Sequence, residues 1–484
     1  MSHLYLCVHG HFYQPPREDP FTGLVRREAE AAPFHDFNEK IAAECYRPNA
    51  ERGNFERMSF DLGPTLAGWL AGHAPGTLRL IQAAEREHTL RFGSSNAMAL
   101  PYNHTILPLA NRWEKQIQIA WGVTDYRYRF GHAPEGMWLP ETAVDLETLR
   151  LLADAGIHYT ILAPWQAVGT IDPSEPYWID LGDGRVLAAF FYNGPLSGAI
   201  SFDGQVSANA DQFCAATLPH ALNREKRARD QPQIVLVATD GELYGHHQQF
   251  RDQFLARLLK ESAAAHGWNV TSLGAYLQRY PPRATAVIRE RTSWSCGHGV
   301  ARWQVGCACT DGPSDWKQPL RQALDRLAER LDQLYASEVG RLVPDPWALL
   351  AGYLAVRLGQ ETLPALLQRH MPGSSVAAAP LERWLEAQYY RQLMLTSCGT
   401  YFEDLARVEP RNSIAFAARA LALLPNPWRQ RLEQEFVQPL HEARSWRSGQ
   451  TGADLYQALA STAAGNSCTF MEPSPARAAA RPVS

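Results

Sequence analysis

The sequence has no apolar run that approaches the roughly 20 residues a membrane-spanning helix needs; residues 234–238 are typical of its longest. No basic region followed by a long apolar stretch opens the chain, so no secretory signal is expected. Cysteine is sparse, eight in 484 residues, too few for a disulfide framework and suited to a reducing compartment. Lysine is scarcer still, five against 41 arginines, a bias that reads as genome composition rather than an arginine-specific function. Neither sign of charge dominates: 46 basic against 50 acidic residues leave a net −4. No global field therefore draws the chain onto nucleic acid or an anionic membrane. Disorder, collagen, a membrane channel and a small secreted toxin are excluded, and a cytoplasmic α/β enzyme is the expectation.

At 45% hydrophobic content with 34 Gly and 33 Pro, the chain can bury a sizeable core. Its length predicts two or three domains, or one large barrel with an accessory unit. Short β-like runs at 3–8, 89–92, 159–162, 186–191 and 234–238 alternate with helical patterns, as in 145–155 with Gly156 as its C-cap. Strands separated by helices predict a parallel sheet covered by helices, either a barrel or a doubly wound fold. Beyond about residue 312 the periodicity becomes helical throughout, at 315–335, 347–358, 381–395, 413–424 and 427–443. The expected division is an α/β unit over 1–312, a helical region over 313–462 and a disordered tail over 463–484.

Chemistry in such folds gathers where strands end, and five stretches qualify. The first, His9-Gly10-His11-Phe12-Tyr13-Gln14-Pro15-Pro16, puts two histidines on one face of a strand. In the second, 93–111, Asn96, Asn103 and His104 stand in a proline-bounded loop and suit sugar hydroxyls. The third holds Trp138-Leu139-Pro140-Glu141, a carboxylate that is costly to bury unless bonded or used; a helix N-terminal role toward the helix near Asp145 is the alternative. The fourth places Asp240 at the exit of 234–238, followed by Glu242, His246 and His247; the alternative is an N-cap for a helix near Gln248. The fifth, 293–303, offers Trp294, His298, Arg302 and Trp303 as a stacking wall for a sugar. Cys296, Cys307 and Cys309 with His298 offer zinc ligands, but without a C-x-x-C pair, so neither a metal nor a cofactor is expected. Facing each other, Glu141 and Asp240 would supply the carboxylate pair that glycoside cleavage needs.

These stretches resemble glycoside hydrolase family 57, which acts on α-glucans by a retaining mechanism on a (β/α)7 barrel. His11-Phe12-Tyr13-Gln14-Pro15 is similar to the family's His-Gln-Pro region with two residues inserted, and Asn103–Leu109 to its second region, where the histidine meets substrate. Trp138–Glu141 resembles the third region, which implies that Glu141 is the nucleophile. Thr239–His247 resembles the fourth, which implies that Asp240 is the general acid/base. In the fifth region, Thr396-Ser397-Cys398-Gly399-Thr400-Tyr401-Phe402 carries Cys398 where the family has an aspartate. That departure bears on the choice among amylase, branching and glucanotransferase activity. The resemblance implies an oligo- or polysaccharide substrate, an α-glucan, contacted by His11, Gln14, His104, Trp138, His246, Trp294, His298 and Trp303.

Two other readings stay open at this stage. A metal-dependent hydrolase on a related barrel, such as a polysaccharide deacetylase or an α-mannosidase-like enzyme, would use His9, His11, Asp240 and His246 as ligands, although the Thr-Phe-Asp-Asp-Gly run of deacetylases is missing. The other is a glucan-binding protein without catalysis.

Overall fold

The computed structural model describes residues 3–372 and 378–465. Its central strand, β1 (Leu4–Phe12), pairs in parallel along its length with β7 (Gln233–Asp240). On its other side β1 pairs with β2 (Ser59–Leu62) and with the short β8 (Asn269–Val270), and β2 continues to β3 (Ala97–Met98). A second sheet runs in the order β4 (Tyr159–Leu162), β6 (Arg185–Phe191), β5 (Tyr177–Gly182), β9 (Thr285–Ala286). Single parallel bridges, Ala99 to Met137 and Gly136 to Tyr159, connect β3 to β4. Beyond β6, the Asn193 N–H donates to the Leu236 carbonyl of β7.

Strand parity sorts the core into two faces. Leu6 and Val8 of β1, Val235 and Val237 of β7, and Leu187, Ala189 and Phe191 of β6 pack in the large core that includes the surrounding helices. The alternate residues, Tyr5 and Cys7, Ile234, Leu236 and Ala238, Tyr159 and Ile161, Ala188 and Phe190, form a separate interior cluster. His9 and His11 continue the parity of Tyr5 and Cys7, and Asp240 that of Ile234. The pleat thus carries three polar side chains onto the interior face at the C-terminal ends of the strands.

The residues after 312 are helical, as the periodicity predicts. Lys317–Gly340, Pro346–Arg357, Ala378–Leu393, Val408–Ala422 and Trp428–Leu440 build a second core. The helix Arg112–Phe130 serves both cores, turning Ile119, Val123 and Tyr126 to the first and Ile117 and Trp121 to the second. Trp121 donates its indole N–H to the Leu350 carbonyl at 3.1 Å. Arg391 is wholly buried and joins Asp332 and Glu114 at 2.7 and 3.1 Å, a pairing that buried charge requires.

The helix expected over 145–155 forms as Leu146–Asp154; the Asp145 side chain caps it at the Thr148 N–H, and Gly156 leaves it at φ 80°. The strand expected at 89–92 does not form. Those residues are the last turn of the helix Pro75–Phe92, which Gly93 ends in the left-handed region at φ 70°. Leu90 and Phe92 alternate with Thr89 and Arg91 as a strand would, but they belong to a helix whose Leu90 faces solvent. Helix Gly452–Gly465 takes up the start of the expected tail, and 466–484 lie outside the described residues. No helix among the described residues is long and apolar enough to cross a membrane.

Candidate active site

Register builds the site. His11 stands opposite Asp61 of β2 on one side and opposite Asp240 of β7 on the other. Its Nδ1–H donates to Asp61 Oδ2 at 2.8 Å, and its Nε2 lies 3.1 Å from His104 Nε2. His9 spans Ser59 Oγ (3.0 Å) and the second Asp61 oxygen (3.2 Å). Burial opposes a charge on His11, but the Asp61 carboxylate, helped by Asp240 and Glu242, lifts it to about 9. Asp61 is depressed in return: burial disfavours its charge, and His11 overrides that. Burial holds His9 and His104 below the ordinary histidine value, for His104 with the repulsion of His11 added. One imidazolium therefore sits between neutral histidines. The pattern assigns His104 the Nδ1–H tautomer, accepting from His11 and donating to Ser397 Oγ at 2.6 Å.

Glu141 sits in a one-turn helix, Pro140–Thr142, with φ 57° and ψ 23°. Thr142 and His104 also have positive φ, 47° and 55°. Left-handed backbone costs a non-glycine residue of order 1 kcal/mol or more and tends to persist where a site uses it. Trp294 holds the carboxylate, its indole N–H donating to Glu141 Oε2 at 3.1 Å and its backbone N–H to the Glu141 carbonyl at 3.0 Å. Burial and the negative charge of Asp240 raise Glu141, against the opposing pull of Ser295, His11 and Trp294. Burial likewise raises Asp240, against His11 and His247. Asp240 nevertheless keeps its side chain open to solvent, while Glu141 is half-buried. Both carboxylates also push the Tyr401 hydroxyl upward. The pair thus shares one electrostatic neighbourhood on the face that carries His11.

The remaining expected residues fall in different places. Trp138 is wholly buried, stacked on His9 at 4.8 Å and His11 at 5.2 Å and edge-on to Trp294 at 5.0 Å. It floors the histidines and offers no open face to a sugar. Trp303 is also wholly buried, in a small cluster with Ile106, Ala143 and Val300. His298 lies among thiols, 3.4 Å from Cys309 Sγ and 3.7 Å from Cys296 Sγ. His246 is paired with Glu44 at 2.6 Å, and Gln14 accepts from Arg17 at 3.2 Å. Both ring nitrogens of His9 are bonded, to Ser59 and Asp61, His11 is shared between Asp61 and His104, and His246 is paired with Glu44. The 240–247 segment makes a short turn, Gly241–Leu243, rather than a helix capped by Asp240, and the next helix is Arg251–Arg257.

Two residues of the site, Asp61 and Trp165, fall outside the stretches that the sequence marks. Asp61 is a lone carboxylate in a buried four-residue strand, which is its one sequence signal. Glu242, buried and raised to about 7 by burial and by Asp240, accepts from the Tyr46 hydroxyl at 2.6 Å. Trp165, 48% exposed, donates to the Ser293 carbonyl at 3.0 Å and borders, with Trp294, a cavity of about 500 Å³. The helical region reaches the site through a bridge between Thr105 and Thr396. Tyr13 stacks on His104 at 3.8 Å and shares a hydrogen bond with Thr396 at 3.0 Å. Beside them is Cys398, its thiol pushed up to about 12 by burial, then by Glu409 and Glu141.

Known proteins share this fold. Residues 40–289 match the model of glycosyl hydrolase family 57, and residues 314–468 match that of a domain of unknown function (DUF3536). Alpha-amylase 1 of Dictyoglomus thermophilum is 24% identical over 262 residues, 50% of this chain but only 35% of that protein's length. Among solved structures, an exo-type maltose-forming amylase from Pyrococcus sp. ST04 superposes with a TM-score of 0.75 at 14% identity, covering 95% of this chain and 88% of that one. A branching enzyme of the same family from Pyrococcus horikoshii gives 0.57 at 14% identity, covering 95% and 94%. The family model spans more than half of the sequence and takes in the segments that bear Asp61, His104, Glu141 and Asp240: the chain belongs to glycosyl hydrolase family 57.

Proposed function

We propose that the protein cleaves or transfers α-glucan chains with retention of anomeric configuration, on a barrel formed by the strand segments around β1. Glu141 attacks the anomeric carbon while Asp240 protonates the departing glycosidic oxygen. Asp240 then takes the proton of an incoming water or sugar hydroxyl, which displaces Glu141 and releases the sugar. The observation that carries this reading is the register that sets His11 between Asp61 and Asp240, with Glu141 held by Trp294 in the same electrostatic field. A fixed imidazolium beside two carboxylates favours their ionised forms as the first step needs for Glu141. The negative charge of the neighbouring Asp61 pushes Asp240 toward the protonated form that the step needs of its acid. The chemistry of the relatives, an amylase and a branching enzyme, supports an α-glucan as substrate. The seven free thiols among the described residues suit a cytoplasmic setting.

Incubation with maltooligosaccharides and with glycogen, followed by product-length analysis and NMR of the first-formed anomer, tests the reading. Shortened or redistributed chains with the α-anomer first are expected. Unchanged chain lengths, or the β-anomer first, would overturn it.

A further inference from the structure

The loop after Trp294 gathers three thiols and an imidazole that the carboxylate chemistry does not use. Cys296 Sγ lies 3.6 Å from Cys307 Sγ and 3.7 Å from His298 Nδ1, and Cys309 Sγ lies 3.4 Å from the same nitrogen. All four atoms fall within 4.8 Å of one another. A 3.6 Å sulfur separation is far beyond the roughly 2.05 Å of a disulfide. It does match a tetrahedron: zinc with thiolates at about 2.3 Å and imidazole at about 2.0–2.1 Å sets its ligand atoms about 3.8 Å apart sulfur to sulfur and about 3.6 Å sulfur to nitrogen. We propose that Cys296, His298, Cys307 and Cys309 bind a zinc ion that staples the loop bearing Trp294 and Ser295 beside Glu141.

The backbone is shaped for it. Each half of the site is a tight pair, Cys-x-His and Cys-x-Cys, so one ligand pair cannot adopt the wider turn of a C-x-x-C knuckle, and the loop between must fold back sharply. Gly299 at φ 61° and Gly306 at φ 83° make that reversal. A Cβ on Gly299 would stand 2.3 Å from the Arg291 carbonyl oxygen, so no larger residue fits there. The His298 N–H points to Cys296 Sγ at 3.4 Å, an arrangement that stabilises a coordinated thiolate. Three thiolates and a divalent ion leave one negative charge. Lys317, anchored on the Tyr401 carbonyl at 2.9 Å and 3.3 Å from the hydroxyl of Thr310, the residue after Cys309, brings a positive charge beside the loop. With three thiolates and one imidazole the donor set favours zinc over calcium or magnesium, and four protein ligands leave no open position, which makes the site structural. Cys296 and Cys309 also line the cavity beside Trp165 and Trp294, so the ion would fix one wall of the cleft.

The test is metal analysis of the full chain expressed in zinc-supplemented medium. About one zinc per chain is expected, falling to background in Cys307→Ser/Cys309→Ser. Cobalt added to the metal-stripped wild type should give the thiolate charge-transfer and intense visible bands of a tetrahedral site, a readout that stands even if the double variant fails to fold. Chelation should also speed backbone hydrogen exchange across 295–309. A wild-type chain that neither carries nor takes up zinc or cobalt, or a double variant that keeps its zinc, would overturn the proposal.

Discussion

Trp294 grips Glu141 twice, through its indole N–H on the carboxylate at 3.1 Å and through its backbone N–H on the carbonyl at 3.0 Å. The second bond comes from the backbone and is kept in any substitution other than proline, so the contribution of the first can be probed. Trp294→Phe keeps an aromatic ring beside Trp138 while removing the donor together with the fused ring that carries it. A hydrogen bond to a charged group contributes about 1.5–3 kcal/mol, so kcat/KM should fall about 10- to 100-fold. Because that donor opposes the rise of Glu141, the acidic limb of the pH–rate profile should move to higher pH. A rate loss with no movement of that limb would mean that Trp294 acts by packing.

His11 and Asp61 make a pH-dependent contribution to stability. The folded state holds the His11 proton up to about 9, against an ordinary value of 6.5. Between those two values the native state binds more protons than the unfolded one, so stability falls as pH rises through that window and is fully present below it. Asp61, depressed, works in the opposite sense and loses its contribution as pH falls through its folded value. Urea denaturation from pH 6 to 9.5 should show the falling slope in the wild type. Asp61→Asn should flatten the slope and cost on the order of 3 kcal/mol, because it leaves a buried imidazole without its counter-charge.

Ser397 ties the helical region to the histidines. Ser397→Ala removes the acceptor of His104 Nδ1–H at 2.6 Å and strands that donor in a buried setting. The expected cost is about 1–3 kcal/mol, read as a lower denaturant midpoint at unchanged m-value. KM should rise more than kcat falls, since no reacting atom touches Ser397.

Much of this was legible in the sequence, for physical reasons. The apolar run up to His9 and the apolar run before Asp240 mark strands that end in polar groups, and the register sets His11 directly opposite Asp240. Asp61 was not legible, because its importance lies in pairing with a histidine fifty positions away, which only the register of β1 and β2 determines. Trp138 and Trp303 show the opposite failure. An aromatic beside a carboxylate looks like a sugar platform, but whether its face is open depends on what packs over it, and here histidines and the Val300 cluster do. The thiols near Trp294 and His298 were visible as candidate zinc ligands, but their spacing argued against a site. Their spacing departs from the usual knuckle, and two glycine reversals are what bring them together.

The roles of the two carboxylates separate most directly with a glycosyl fluoride, whose leaving group needs little protonation. Measured by fluoride release, Asp240→Asn should keep most of the first step that it loses on a natural glucan, whereas Glu141→Gln should lose several orders of magnitude on both. Equal loss in both variants on the fluoride would contradict the assignment of nucleophile and acid on which the account depends.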